Sequence, residues 1–435
     1  MKHTFLTAFT LLLSATAFAQ QQVALSLADC RRLAIEHNEK VKKSGNALTS
    51  AQLQKEAVFT NYLPRLDGSA TTLFMQDQDI MGMQLKLRGA YVAGFSLTQP
   101  IYVGGKIYNG NKLAKIGIEA AEIQQQQTRA DVIAEADNAY WTYIAVLEKQ
   151  RMVEAYKAQM DSVCAIIKNA IDAEMGTEYE LVRVNAKRSE LEYQLQKVKN
   201  GINLCRMNLC NIIGDSMTTA IVPTDTTVMV TAPSNMNNSV DNRPEVKLLA
   251  KNIEAKELQI KMERAEMLPT VGLQAAYNFF GNIKTEGYAQ AEDGNYYPYS
   301  TNYHGGVGMV AAAAKIPLLN WLDASKKVKI AKLEVENAKL DKEQNARLMG
   351  IQVQQAIQNV MDGYAMIETA ELGVKQAEEN LRIVRIRYEN GMGTLTDLLD
   401  AQSQWQQAKS NNIEAKTQYK IYETEYLHAV GELDR

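Results

Sequence analysis

The sequence is poor in the residues that interrupt helices: 8 of its 435 residues are proline. Low proline beside abundant Ala, Gln, Glu, Lys and Leu is the composition of long helices. After the N-terminal segment no run reaches the roughly 18 uninterrupted apolar residues of a membrane-spanning helix. Charge of one sign is not clustered: the formal net charge is −3, with no basic block, which argues against nucleic acid as a partner. Cysteine is scarce too. Cys30, Cys164, Cys205 and Cys210 form no C-x-x-C pair, and all fall in helical patterns, where buried free thiols are favoured over a disulfide frame or a metal site. Histidine is nearly absent: beyond His3 there are His37, His304 and His428, far apart in the chain. There is no H-E-x-x-H, no G-x-S-x-G and no phosphate loop, so catalysis finds no support and no cofactor is expected.

Met1 to Ala19 reads as a secretory signal. Lys2 gives the positive start, Phe5 to Phe18 the apolar stretch, and Ala17-Phe18-Ala19 the small-residue cleavage site. Cleavage is expected before Gln20, and an N-terminal membrane anchor is the competing reading. Cys30 lies too far along for a lipoprotein. An exported chain without a spanning helix is either soluble beyond the inner membrane or crosses an outer membrane by strands.

What the sequence does contain is a duplication. Leu63-Pro64-Arg65-Leu66 recurs as Leu268-Pro269-Thr270-Val271, 205 positions later, and Val41-Lys42 recurs as Val246-Lys247. Pro100 recurs as Pro317 at an offset of 217, which continues to Met175-Gly176-Thr177 and Met392-Gly393-Thr394. The change of offset places a 12-residue insertion between the two prolines of the second copy. Such self-similarity fixes the architecture before any single element does.

The first copy, 20–213, is expected to run helix, β-hairpin 64–100, long helix, turn near 176, helix. An irregular linker follows at 214–243. The second copy, 244–435, repeats the order with a hairpin at 269–317 and a turn near 393. Ser26-Leu27-Ala28-Asp29 resembles a capping box and starts a helix that runs toward Tyr62 and stops before Pro64. Leu66, Gly68, Ala70, Thr72 and Phe74 alternate with polar residues, as do Tyr91, Ala93, Phe95 and Leu97, so each run is a strand with one apolar face. Residues 77–89 and 281–304 are read as connecting loops. The proline-free run from Ile101 to Met175 predicts a helix of roughly 110 Å. The last helix carries a 3.5-residue seam through Leu398, Ala401, Trp405, Ala408, Asn412, Ala415, Tyr419, Tyr422, Tyr426 and Ala429.

Four strands of about ten residues suit an outer membrane but cannot close a barrel, and open sheet edges are not tolerated in lipid. Two copies would give a barrel filled by side chains, and three would leave an open lumen. The fold class expected is therefore mixed α and β: long helices in a duplicated unit, with a four-stranded share of a barrel built from several chains. The competing reading is a structural periplasmic coiled-coil scaffold without a transport lumen.

At this point the chain resembles the TolC-type outer membrane efflux proteins. The resemblance rests on Leu25-Ser26-Leu27 with Asn38 and Val41, on the two Leu-Pro pairs, and on Gln99-Pro100-Ile101-Tyr102-Val103-Gly104-Gly105-Lys106. Arg387-Tyr388-Glu389-Asn390-Gly391 leading into Leu395-Thr396-Asp397-Leu398-Leu399-Asp400-Ala401-Gln402 carries it furthest. It implies a homotrimer with a twelve-stranded barrel in outer membrane lipid and a twelve-helix barrel extending into the periplasm. It implies a passive exit duct, supplied by an inner-membrane pump through a periplasmic adaptor in an efflux or type I secretion system.

The resemblance also implies site residues. Asp397 and Asp400, three apart on one helix face, match carboxylates that ring the periplasmic entrance, where mutual repulsion would raise their pKa values and attract cations. Without the resemblance they would merely favour a helix dipole. Glu180 and Tyr388 match a pair that ties the entrance shut. Gly393 stands where the family's best-known member has arginine, so the closing network differs here, with Arg385 and Arg387 as substitutes. The tips Met175, Gly176, Thr177 and Met392, Gly393, Thr394 would meet the adaptor. In each, glycine is expected to permit the reversal and threonine to cap the next helix.

Overall fold

The structure, a computed structural model, describes residues 22–80, 83–174, 176–292, 294–318 and 322–434. The signal read over 1–19 and the tip residue Met175 lie outside the described residues. In the first copy the elements are β1 (Gln22–Leu25), α1 (Leu27–His37), α2 (Glu39–Phe59), β2 (Arg65–Leu73), β3 (Gln78–Ile80), β4 (Met83–Lys86), β5 (Ala90–Val103), α3 (Lys106–Asp172) and α4 (Glu178–Ile213). Next come β6 (Ala220–Pro223), α5 (Pro244–Ala265), β7 (Thr270–Gln290), β8 (Tyr296–Lys315), α6 (Asp323–Glu389) and α7 (Leu395–Val430). No helix among the described residues is long and apolar enough to cross a membrane.

The chain divides into two compact units. One comprises Met1–Gly45, Gln125–Val246 and Ala346–Arg435; the other comprises Asn46–Gln124 and Lys247–Asn345. The first unit is helical, with a small parallel pair in which β1 runs beside β6, Val23 opposite Ile221. Ser26 caps α1 through the expected box with Asp29. The single first helix read from the sequence is in fact two, broken at Asn38, whose ψ is 133°. That side chain explains the break: its oxygen accepts from the Lys40 amide at 2.8 Å and its amide donates to the Ile212 carbonyl at 3.0 Å. An asparagine that satisfies backbone at both ends competes with continuing the helix.

Linker residues are packed rather than loose. Tyr143 donates to the Ile221 carbonyl at 2.9 Å, Tyr419 to the Thr231 carbonyl at 2.6 Å, and Tyr140 to the Asp225 carboxylate at 2.6 Å. Buried Asp137 accepts from Arg31 through two bonds, 2.7 and 2.5 Å, and from Thr424 at 3.1 Å, so its charge is fully compensated. All four cysteines are free, with Cys30, Cys164 and Cys210 buried. Within α7 the seam residues Leu398, Ala401, Tyr419 and Ala429 are buried, and so are Leu399, Gln402, Ile413, Thr417 and Thr424 beside them. The helix therefore packs on a broader surface than a single seam supplies.

The second unit is built on a sheet ordered β2-β5-β7-β4-β3, with β8 on the other edge of β7. Here the strands exceed the expected hairpins. The 281–304 segment, read as a loop, is mostly strand: β7 spans 21 residues and β8 spans 20, paired as far as Gln290 with Tyr296. Within 77–89, also read as loop, β3 and β4 form a small hairpin, and β4 pairs with β7 from Gln84 opposite Glu286 to Lys86 opposite Lys284. Lys86 and Glu286 close that pairing with a 2.6 Å ion pair. Pro100 does not end its strand. β5 continues to Val103 with the register shifting between Pro100 and Tyr102, as a residue without an amide donor requires. Leu66, Phe95, Tyr277, Val307 and Val310 lie exposed on this sheet, so its apolar rows have no cover within one chain.

Candidate functional site

The predicted site residues other than Met175 lie in or beside two helix reversals of the first unit: Gly176 and Thr177 between α3 and α4 with Glu180 in the first turn of α4, and Met392, Gly393 and Thr394 between α6 and α7 with Tyr388 at the end of α6 and Asp397 and Asp400 at the start of α7. Their shared core joins Tyr156, Met160, Val163 and Ile167 of α3 with Val184 and Leu191 of α4 and Leu395, Leu398 and Leu399 of α7. Tyr388 and Leu381 of α6 pack against it. One apolar cluster thus sets both turns in a common frame. Arg183 at the start of α4 reaches across to donate to the Thr396 hydroxyl at 2.6 Å.

The second turn is finished by backbone and cap. The amide of Gly391 donates to the Tyr388 carbonyl at 3.0 Å and that of Met392 to the Arg387 carbonyl at 2.8 Å, closing a Schellman pattern. Gly391, with φ of 71°, makes the reversal, and its counterpart in the first turn is Glu174, with φ of 60°. Gly176 and Gly393 therefore do not supply the left-handed residue expected of them. They are needed for close approach instead: a Cβ at Gly393 would press on the Tyr388 amide nitrogen, and one at Gly176 on that of Ile171.

Thr394 caps α7 in a reciprocal box. Its hydroxyl accepts from the Asp397 amide at 3.2 Å, while its own amide and hydroxyl donate to the Asp397 carboxylate at 3.1 and 2.8 Å. Thr177 makes no such side-chain bond. The Asp397 carboxyl is held below the ordinary aspartate range, first by the Thr394 hydroxyl, then by the Thr394 amide, with Arg387 adding a smaller pull. Within a single chain this runs opposite to the rise expected of a carboxylate ring, because the cap acts locally. Asp400, one turn further along α7, is exposed.

Glu180 lies close enough to Tyr388 for its charge to be felt, with no hydrogen bond between them among the described residues. Tyr388 is half-buried, and its hydroxyl is pushed above its ordinary pKa by burial and then by the Glu180 charge. Of the two suggested substitutes for the missing arginine, Arg385 is engaged on its own helix with Glu389 at 2.9 Å, and Arg387 faces Asp397. No cluster of three metal-ligating side chains occurs among the described residues. One contributor escaped the sequence reading: Gln402, 3 % exposed, lies behind Tyr388 with its side-chain oxygen sealed from solvent. Its only signal was its place in the Leu-Leu-Asp-Ala-Gln run.

Comparison with known proteins now decides the class. Residues 30–200 and 235–432 match the family described as outer membrane efflux protein. The chain belongs to that family. The proteases secretion protein PrtF of Dickeya chrysanthemi is 19 % identical over 411 residues, covering 90 % of this chain and 85 % of PrtF. The nickel-cobalt-cadmium resistance protein NccC of Alcaligenes xylosoxydans is 22 % identical over 196 residues, covering 45 % and 44 %. Among solved structures, the outer membrane protein VceC of Vibrio cholerae aligns with a TM-score of 0.72 at 17 % identity, over 93 % of this chain and 96 % of that one. An outer membrane efflux protein of this fold is an exit duct, located in the outer membrane with a long helical extension into the periplasm. The expected fold class, mixed long helices and barrel strands, is the one that these neighbours share.

Proposed function

We propose that three copies of this chain close a single tube, that a periplasmic adaptor and an inner-membrane pump feed it, and that the two helix reversals form its periplasmic gate. One observation supports closure by further copies: β2 and β8 each pair on one edge alone among the described strands, while the apolar rows of the same sheet lie exposed. In lipid those unpaired amides and carbonyls must find partners, and further copies of the same sheet supply them. Exposed Ile330, Leu333, Leu340, Leu348 and Ile351 fall on one face of α6, interrupted by Asn337 and Gln344, and support the same reading, since exposed aliphatic side chains along one helix face favour a further helix.

Asp397 and Asp400 at the start of α7 then stand three times around the entrance, while Glu180 and Tyr388 form the tie within each copy. Gly176, Thr177, Met392, Gly393 and Thr394, with Met175, are the adaptor-facing tips. Cargo does not follow from the relatives, since one is named for protease secretion and another for nickel, cobalt and cadmium resistance.

Outer membrane fractions resolved on SDS gels test the assembly: a heat-modifiable trimer is expected, and a soluble monomer after mild washing would remove the duct reading. In planar bilayers, Asp397→Ala with Asp400→Ala should weaken block by multivalent cations. Unchanged block would take these residues out of the entrance.

A further inference from the structure

Two buried acceptors beside the second turn lack donors. The side-chain oxygens of Gln159 on α3 and Gln402 on α7 are sealed from solvent and accept no hydrogen bond among the described residues. Leaving a buried acceptor unpaired is costly, so each one in a folded chain needs a reason. Both line one narrow crevice, together with Ser162, Arg385, Tyr388 and Leu398. Ser162 donates to the Ala158 carbonyl at 3.1 Å, and Arg385 is held along its own helix by the Nε bond to Glu389 at 2.9 Å; neither donates to the two glutamine oxygens. Tyr388 sits on the crevice wall. A half-buried tyrosine whose hydroxyl still reaches solvent thus adjoins two sealed acceptors without donors.

We propose that this crevice is a second seat for the Tyr388 hydroxyl, with Gln402 and Gln159 as positioning residues that hold the tyrosine withdrawn when the entrance opens. This rests on reading Tyr388 as part of the gate. In one seat Tyr388 faces Glu180, whose charge it feels. In the other its O–H donates to Gln402 or Gln159, satisfying an acceptor that is otherwise orphaned. The two seats belong to one side chain, so the gate has two discrete positions rather than a continuum, and removing either partner biases the balance.

The test is single-channel recording of the purified assembly in planar bilayers. Gln402→Met keeps the volume and removes the acceptor. It should lower occupancy of the high-conductance state by about fivefold, the worth of one buried hydrogen bond. In a Tyr388→Phe background the same substitution should do nothing. Glu180→Gln should raise that occupancy by weakening the other seat. Gln159→Met serves as a second variant, and the heat-modifiable trimer band checks folding of each. An equal effect of Gln402→Met with and without the tyrosine hydroxyl would make Gln402 a packing residue and overturn the proposal. If Gln402→Met and Gln159→Met are silent while Glu180→Gln acts, the crevice is no seat and the gate reading stands. Silence of all three overturns both.

Discussion

The two helix reversals carry related sequences and are finished differently. Thr177-Glu178-Tyr179-Glu180 has the spacing of a capping box as plainly as Thr394-Leu395-Thr396-Asp397 does. Yet the box closes at Thr394 and not at Thr177. In the second turn the acid at the third helical position is spent on the cap. In the first the matching acid, Glu180, lies near Tyr388 of the other turn. The left-handed residue differs likewise: glycine at Gly391, a strained glutamate at Glu174. Duplication supplied two similar turns; one is locally satisfied, and the other keeps its carboxylate for a neighbour.

That contrast is open to direct attack. The largest effect is expected where the core meets the second turn. Leu399 is 9 % exposed, whereas Val182, its counterpart in the first copy, is 66 % exposed. Leu399→Ala should cost about 2–5 kcal/mol by denaturant unfolding in detergent. Val182→Ala should leave the unfolding midpoint unchanged. Equal losses would mean that assembly buries the first turn as deeply as the second.

A smaller effect is expected at the left-handed positions. Gly391→Ala should cost about 1–2 kcal/mol, the steric cost of a Cβ in that conformation. Glu174→Gly should relieve strain and raise the midpoint, in the opposite direction.

Smaller again is the cap. Thr394→Ala should cost about 1 kcal/mol and speed amide exchange at the start of α7. Thr177→Ala should do little, because its hydroxyl caps nothing. The same box predicts a pH dependence. Since the folded Asp397 pKa lies below its ordinary value of 3.8, its contribution is present above that value and is lost as pH falls through the lower, folded pKa. Amide exchange at the second turn should therefore accelerate relative to the first only in strong acid. Acceleration starting near neutrality would show that like charges from other copies, not the cap, govern Asp397.

Much of this was legible from local chemistry. Proline marked the starts of β2 and β7 because its geometry ends the preceding helix. Ser26 and Asp29 announced α1, and the long proline-free runs became α3 and α6, 67 residues each. What was missed depended on distant partners. β7 reaches Gln290 because β8 and, beyond β5, the strand β4 hydrogen-bond to it. Alternation along 281–304 alone does not reveal such pairing. Asn38 looked like any helical residue until Ile212, far along the chain, offered its carbonyl. Gln402 looked like a surface amide in a familiar run until packing sealed its oxygen.

Periodicity, proline placement and self-similarity by themselves determined the duplicated order of helix, hairpin, helix and turn, because each is enforced within a few residues of backbone. Tertiary structure alone decided which threonine closes its cap, which acid is left for Tyr388, and how far β7 and β8 climb. Those outcomes turn on a hydrogen bond to one partner or another, and the partner that wins is set by where other helices and strands bring their atoms.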